Sequence, residues 1–171
     1  MKAPKLPGKY NVKSKVVINA PKQKVWQVME DFGNVYTWAP GVTESHSIGS
    51  KESGMGAARH CKLDGFGTID EYVTQWVEGT GFVYDVTPLG PLNKSFSCWW
   101  LTALENGSTE LEVVLSYDIR YGLFGKVMHS LIMRKKLESS LPDALNALKN
   151  RVETGKLVRP YLTKKGSELI I

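Results

Sequence analysis

Apolar and polar positions divide this chain into an alternating stretch, a short helical stripe, a series of strand-like runs and a long helical stripe. From Tyr10 to Ala20 the alternation has a period of two, which predicts a half-exposed strand. The next segment carries apolar residues at helical spacing and ends at Gly33. One more short helical turn is expected before Ala39-Pro40-Gly41 breaks the chain.

Six strand-like runs follow with no helix between them. They are Val42 to Ile48, Gly56 to Leu63, Thr68 to Val77, Gly81 to Thr87, Lys94 to Leu104 and Thr109 to Tyr121. The short segments that separate them include Asp64-Gly65 and Asn106-Gly107, which are typical of β-hairpins. Short connections between consecutive strands favour an antiparallel meander.

The last periodic segment, Leu123 to Glu153, predicts one long amphipathic helix. Its first apolar stripe contains Phe124, Val127, Met128, Leu131 and Ile132, and we expect Phe124, Met128, Leu131 and Ile132 to face the sheet. Pro142 is expected to kink or restart the helix, and Gly155 to end it. This element order predicts an α+β fold in which a curved antiparallel sheet of about seven strands, two short N-terminal helices and one long C-terminal helix enclose a cavity.

The length of 171 residues fits one domain with short extensions. We predict a flexible lead-in over residues 1 to 9, a single domain over residues 10 to 155 and a basic tail over residues 156 to 171. Lys and Arg exceed Asp and Glu by 22 − 17 = 5, mainly at the two ends. Such a bias suits a solvated basic face or peripheral contact with an anionic membrane. No run of five or six like charges and no aromatic stacking motif indicates a nucleic-acid partner.

The two cysteines, Cys61 and Cys98, fall in separate predicted strands, which indicates buried free thiols in a reducing compartment. The N-terminal residues contain no apolar core of a secretory signal, and no stretch approaches the roughly 18 apolar residues of a membrane span. We therefore expect a cytoplasmic protein. No histidine has ligand neighbours at metal-binding spacing and no nucleotide-binding motif occurs, so neither a metal nor a cofactor is expected.

Three groups of residues form recognisable motifs. Val16-x-Ile18-x-Ala20-Pro21-x3-Val25-Trp26 forms a strand-to-helix junction, Asp31-Phe32-Gly33-Asn34 with Trp38-x-Pro40 forms a turn between helices, and Gly56-x2-Arg59 precedes Glu71 on the next strand. On these motifs, residues 10 to 154 resemble the SRPBCC superfamily of START-like and polyketide cyclase-like helix-grip proteins. The resemblance implies the helix-grip fold. Its members include ligand carriers, cyclases and quinone-binding proteins, and it does not account for the basic tail.

Arg59 and Glu71 are the charged residues that alternation places on the inner faces of the third and fourth strands. If both faces point inward, the two side chains meet across the Asp64-Gly65 hairpin, because a buried charge needs a partner. The pair then either presents a polar end to a ligand carbonyl or hydroxyl, or forms a structural ion pair. A Glu held by an Arg is a poor acid and a weak base, so the catalytic residues stay unknown, with Arg59 and Glu71 as the candidates.

The other cavity candidates are apolar, aromatic and sulfur side chains on the expected inner faces. The predicted ligand-binding residues are Trp38, Arg59, Cys61, Glu71, Tyr84, Phe96, Cys98, Trp100, Leu115, Tyr117, Phe124, Met128 and Ile132. An unfilled cavity of ~300 Å³ would cost roughly 7 kcal/mol, which approaches the whole stability of a domain. We therefore expect a cavity of this size to be occupied, wet or collapsed.

Three functions are compatible with the sequence. The first is binding of a hydrophobic small molecule (lipid-, quinone- or polyketide-like) in an internal cavity, as a carrier or sensor. The second is a polyketide cyclase- or dehydratase-like enzyme that uses the Arg59 and Glu71 pair. The third is an interaction protein whose basic ends dock an acidic partner or a membrane. The ligand and the oligomeric state are not determined by the sequence.

Overall fold

A curved seven-stranded antiparallel sheet packs against a long C-terminal helix in the computed structural model, which describes residues 2 to 161. The strands are β1 (Tyr10–Ile18), β2 (Val42–Ile48), β3 (Ala58–Leu63), β4 (Gly67–Val77), β5 (Gly81–Val86), β6 (Leu92–Ala103) and β7 (Thr109–Ile119). Their order in the sheet is β1-β7-β6-β5-β4-β3-β2, so β1 pairs with β7 and the remaining strands form a meander. The predicted α+β helix-grip architecture is confirmed.

The helices lie at the two ends of the meander. They are α1 (Lys22–Met29), a 3₁₀ helix (Phe32–Thr37), α2 (Gly122–Met128), a π-helical turn (His129–Met133) and α3 (Arg134–Thr154). The last three are continuous and together form the C-terminal helix. Pro142 lies inside α3 without ending it, and Gly155 ends it in the left-handed conformation, with φ of 74°. Within the described residues, no helix is long and apolar enough to span a membrane.

The two faces of the sheet carry separate apolar clusters. The inner cluster lies between the sheet and the helices and includes Ile18, Trp26, Phe32, Phe82, Trp99, Leu111 and Leu145. The outer cluster contains Val83, Cys98, Trp100 and Val114. Ala3 and Leu6 pack against this outer cluster, and the Ser116 hydroxyl donates a hydrogen bond to the Pro7 carbonyl over 3.0 Å. The N-terminal segment, predicted as a flexible lead-in, therefore lies along the outer face.

The prediction that Phe96, Cys98 and Trp100 face the interior is wrong. Tyr84 on the inner face of β5 pairs with Ser97, so the inner side of β6 carries Ser97 and Trp99. Cys98 and Trp100 lie in the outer cluster, and Phe96 shares their side of the strand. Both faces of β6 are covered, so its sequence is apolar without interruption from Cys98 to Leu101 and alternation does not distinguish the two faces.

The prediction that the first turns of the C-terminal helix present Phe124 and Ile132 to the sheet is also wrong. These side chains are 67% and 61% exposed, and Met128 is half-buried. The buried face of this stretch consists of Gly125, His129 and Met133. A Cβ atom on Gly125 would overlap the carbonyl oxygen of Arg120, so only glycine permits this close approach of α2 to the end of β7.

The start of the predicted basic tail packs against the turn that follows the 3₁₀ helix. The guanidinium of Arg159 donates hydrogen bonds to four backbone carbonyls in and beside that turn, over 2.8 to 3.3 Å. The acceptors are the carbonyls of Tyr36, Ala39, Pro40 and Val42. The backbone N–H of Val158 donates to the Thr37 carbonyl over 2.7 Å. Residues 162 to 171 of the predicted tail lie outside the described residues.

Candidate functional site

Arg59 and Glu71 lie directly opposite each other on β3 and β4. Both residues are buried, at 6% and 5% exposure, and Arg59 Nε donates to Glu71 Oε2. Arg59 Nη1 also donates to the Phe32 carbonyl over 2.8 Å. The predicted contact between Arg59 and Glu71 is therefore present, and it fastens the β3–β4 hairpin to the 3₁₀ helix.

Aromatic rings surround the guanidinium of Arg59. Its Cζ atom lies 3.9 Å from the centre of the Phe32 ring and 5.3 Å from that of Tyr84. The two rings contact each other edge to face, with centroids 5.7 Å apart. A cation over an aromatic face is attracted by the ring quadrupole, and the attraction is stronger where water is excluded. The charge of Arg59 is thus held in the apolar interior by Glu71 and by two rings.

The protonation states around the pair follow from burial and from the two charges. Burial alone would lower the pKa of Arg59, but the Glu71 carboxylate outweighs this effect and raises it. The Cys61 thiol donates to Glu71 Oε2 over 3.6 Å, and burial raises the pKa of Cys61 to about 12. Burial also raises the pKa of Tyr84 above its ordinary value. Cys61 and Tyr84 are therefore neutral near pH 7.

A void of about 10 Å³ lies beside Arg59. It is lined by Met29, Asp31, Val35, Trp38, Arg59, Phe82 and Trp99. A space of this size holds about one water, whereas small-molecule sites are typically about 300 to 1,000 Å³. We expected a large cavity to be occupied, wet or collapsed, and this part of the interior is collapsed.

A larger pocket of about 440 Å³ opens to the surface next to this void. Its lining includes Lys24, Gln27, Val28, Glu153 and Tyr161, and it shares Asp31 and Trp38 with the void. The Trp38 ring packs edge to face against Trp99, with centroids 6.0 Å apart. Trp38 therefore stands between the surface pocket and the space beside Arg59. A separate pocket of about 630 Å³ lies on the outer face beneath the N-terminal segment.

The structure brings most of the predicted inner residues to one side of the sheet. Trp38, Arg59, Cys61, Glu71, Tyr84, Leu115 and Tyr117 all lie there. Sequence reasoning did not assign Trp99 to the site, and it placed Asp31 and Phe32 only in the motif of the turn between helices. Trp99 would follow from the pairing of Tyr84 with Ser97, but the Pro88–Asn93 turn does not reveal that register.

A second buried polar contact lies under the C-terminal helix, apart from Arg59. The Tyr117 hydroxyl and His129 Nε2 are 2.8 Å apart, and the Tyr10 ring lies 4.7 Å from the His129 ring. Burial lowers the pKa of His129, Arg134 lowers it further, and Glu138 opposes both effects. His129 is therefore a neutral imidazole that anchors the π-helical turn to β7.

Replacing His129 with Gln is expected to reduce the pH dependence of stability. Because folding lowers the pKa of His129, the unfolded chain takes up the proton first as pH falls. The stabilisation is complete above about pH 6.5 and is lost as pH falls below that value. Urea unfolding should show that the difference in free energy of unfolding between wild type and H129Q is smaller at about pH 5 than at about pH 7.5. Exposed His46 provides the control, and an equal effect of H46Q would contradict the assignment.

Comparisons with known proteins agree with this geometry at the level of family and fold. A family model described as polyketide cyclase / dehydrase and lipid transport matches residues 9–153. The Zhui aromatase/cyclase of Streptomyces sp. R1128 is 16% identical, with a TM-score of 0.74, and the match covers 84% of this chain and 93% of that chain. No curated protein matches significantly.

Two further solved structures show the same fold. A START superfamily protein from Mycobacterium smegmatis is 18% identical, with a TM-score of 0.67, and the match covers 85% of this chain and 99% of that chain. A protein from Thermus thermophilus is 16% identical, with a TM-score of 0.69 and the same two coverages. At these identities the likeness establishes the fold and leaves the ligand to be argued from the site.

Proposed function

Because the chain belongs to the polyketide cyclase / dehydrase and lipid transport family, we propose that it binds a hydrophobic small molecule between the sheet and the helices, as a carrier or sensor. The observation that carries the proposal is the buried Arg59–Glu71 pair, which lies among aromatic rings at the edge of an interior void. The proposed ligand is lipid-, quinone- or polyketide-like. It places one oxygen where Arg59 can donate to it and buries the rest against apolar side chains.

The ion pair supports recognition of an oxygen atom. A buried pair rarely stabilises a core more than apolar side chains of similar volume, because both charges must leave water. The position of the Arg59 guanidinium against the Phe32 and Tyr84 rings is better accounted for by a polar ligand group that enters the same space. Hydrogen bonds to a charged donor contribute about 1.5 to 3 kcal/mol, which corresponds to roughly ten- to a hundredfold in affinity.

Trp38 defines the proposed access route. The surface pocket of about 440 Å³ falls within the usual range for small-molecule sites. A rotation of the Trp38 side chain away from Trp99 would join this pocket to the void beside Arg59. Arg159 holds the backbone of the same turn through its four carbonyl contacts, so the side chain can move while the main chain stays in place.

The chemistry around the pair favours binding over turnover. A cyclase or dehydratase needs a group that gives up or takes a proton near neutral pH. Burial keeps the Cys61 thiol and the Tyr84 phenol protonated, and Glu71 Oε2 accepts from both Arg59 and Cys61. Conversion of a bound molecule by wild type but not by Glu71→Gln would instead support the enzyme.

The first experiment is native mass spectrometry of protein purified from its own host, followed by denaturing extraction into organic solvent. We expect one apolar molecule per chain, with at least one carbonyl or hydroxyl oxygen. Protein that carries no such molecule, and takes none up from a lipid extract of the host, would contradict a carrier.

A matched pair of probes tests the role of Arg59. Fluorenone and fluorene differ in one carbonyl, and equilibrium dialysis should show wild type preferring fluorenone by about tenfold or more. The double variant R59M/E71Q should lose this preference. The control K62M/E44Q removes the exposed Lys62–Glu44 pair on β2 and β3 and should keep it. A preference that survives in R59M/E71Q would show that Arg59 does not select the oxygen.

A further inference from the structure

The outer side of the early C-terminal helix is apolar and uncovered. Six large side chains between residues 121 and 132 are at least half exposed: Tyr121, Leu123, Phe124, Val127, Leu131 and Ile132. The opposite side of the same turns is buried against the sheet through Gly125, His129 and Met133. A helix that is apolar on two sides has a second surface to bury. We call the six exposed side chains the apolar stripe.

Positive charge flanks the apolar stripe. Residues 120 to 136 contain Arg120, Lys126, Arg134, Lys135 and Lys136 and no Asp or Glu, and Glu138 on the following turn pairs with Arg134 over 2.8 Å. Their charge of +5 equals the formal net charge of the whole chain, so the remaining residues sum to zero. The segment that carries the exposed apolar surface is therefore strongly positive.

We propose that the apolar stripe and its flanking cations dock on the surface of an anionic lipid bilayer. Helices that lie in a membrane interface combine one apolar side with Lys and Arg, and they bind through apolar burial plus attraction to acidic lipids. A second copy of the chain would also cover the stripe, but it would bring two sets of five cations together. Charge complementarity therefore favours the bilayer.

The surrounding contacts hold this surface in a fixed orientation. Tyr121 has a left-handed φ of 67° at the junction of β7 and α2, and the Arg120 guanidinium lies 4.8 Å from the centre of its ring. The ammonium of Lys136 lies 4.8 Å from the ring of Phe66 on the β3–β4 hairpin. The hairpin thus borders the docking surface. The inference does not depend on ligand binding at Arg59.

Vesicle flotation with the full-length protein tests the proposal. Vesicles of phosphatidylcholine with about 30% phosphatidylglycerol should bind the protein, phosphatidylcholine alone should bind it weakly, and salt should reduce binding. The variant L123S/L131S should lose about tenfold or more in affinity. K126Q/K135Q should lose about fivefold per charge removed. M55S, at an exposed apolar residue between β2 and β3, should bind as wild type does.

Three results would overturn the proposal. The first is binding to anionic vesicles no stronger than to neutral ones. The second is binding that L123S/L131S leaves unchanged. Such binding would come from another part of the chain, such as the basic tail that all the variants share. The third is a dimer, measured by light scattering, that L123S/L131S dissociates while vesicle binding is absent. Circular dichroism confirms that each variant is folded, which is expected because Leu123 and Leu131 are exposed.

Discussion

Replacing Arg59 with Met is expected to lower the free energy of unfolding by about 3 to 5 kcal/mol. The substitution leaves Glu71 buried without its cation and removes the donor to the Phe32 carbonyl. Met occupies much of the same volume, so the loss reports the stranded charge more than a cavity. Urea denaturation followed by circular dichroism measures the change.

A double-mutant cycle separates the ion pair from packing. R59M/E71Q removes both charges together, and we expect its stability to be within about 1 kcal/mol of wild type or above it. The coupling energy between the two sites is then about 2 kcal/mol or more. Removing the exposed Lys62–Glu44 pair should leave the free energy of unfolding nearly unchanged, because water screens both charges. A cost for R59M no greater than that for K62M would mean that the interior pair is hydrated.

The order of elements made the fold predictable from the sequence. One strand, two short helices, six runs joined by turn residues and one long helix leave few arrangements other than a meander against a helix. Arg59 and Glu71 were also predictable, because β3 and β4 alternate along their length and buried opposite charges need each other. The alternation of the two strands and the need of a buried charge for an opposite charge both indicated Arg59 and Glu71.

The register of β6 and the rotation of the early C-terminal helix were not predictable by the same means. Trp99 and Trp100 are adjacent and both buried, one on each face of the sheet. The sequence therefore does not show which of the two faces the interior. At the start of the C-terminal helix the more apolar side is the exposed one, since Gly125 and His129 lie on the buried side. Hydrophobic periodicity predicts that the most apolar side of a helix faces the core. This prediction fails where that side is exposed and available to bind another surface.

The role of Arg159 left no signal in the sequence because its acceptors belong to the main chain. Within the described residues, the four hydrogen bonds of its guanidinium all end on backbone carbonyls, which every residue possesses. Composition therefore assigned this arginine to a solvated basic tail. Only the folded structure shows that these four carbonyls lie close enough together to accept hydrogen bonds from one guanidinium.

Replacing Gly125 with Ala is expected to destabilise the protein by about 2 to 3 kcal/mol. Helix propensity predicts the opposite sign, since Ala is favoured over Gly by about 1 kcal/mol inside a helix. The structure predicts a loss because the new Cβ would overlap the Arg120 carbonyl oxygen and contact Ile119. Backbone on both sides of the contact cannot move aside as a flexible side chain would. Urea denaturation of G125A therefore tests the placement of α2 through the sign of the change in the free energy of unfolding.

Gly41 provides the matched control. A Cβ on Gly41 meets nothing within 4 Å and its φ lies outside the left-handed region, so G41A should be neutral or stabilising by about 0.4 to 1 kcal/mol. If G125A were also stabilised, α2 would not approach β7 as closely as described. The rotation that buries Gly125 and exposes Phe124 and Ile132 would then lose its main structural support. The sign of this change therefore tests the helix orientation on which the exposed apolar stripe depends.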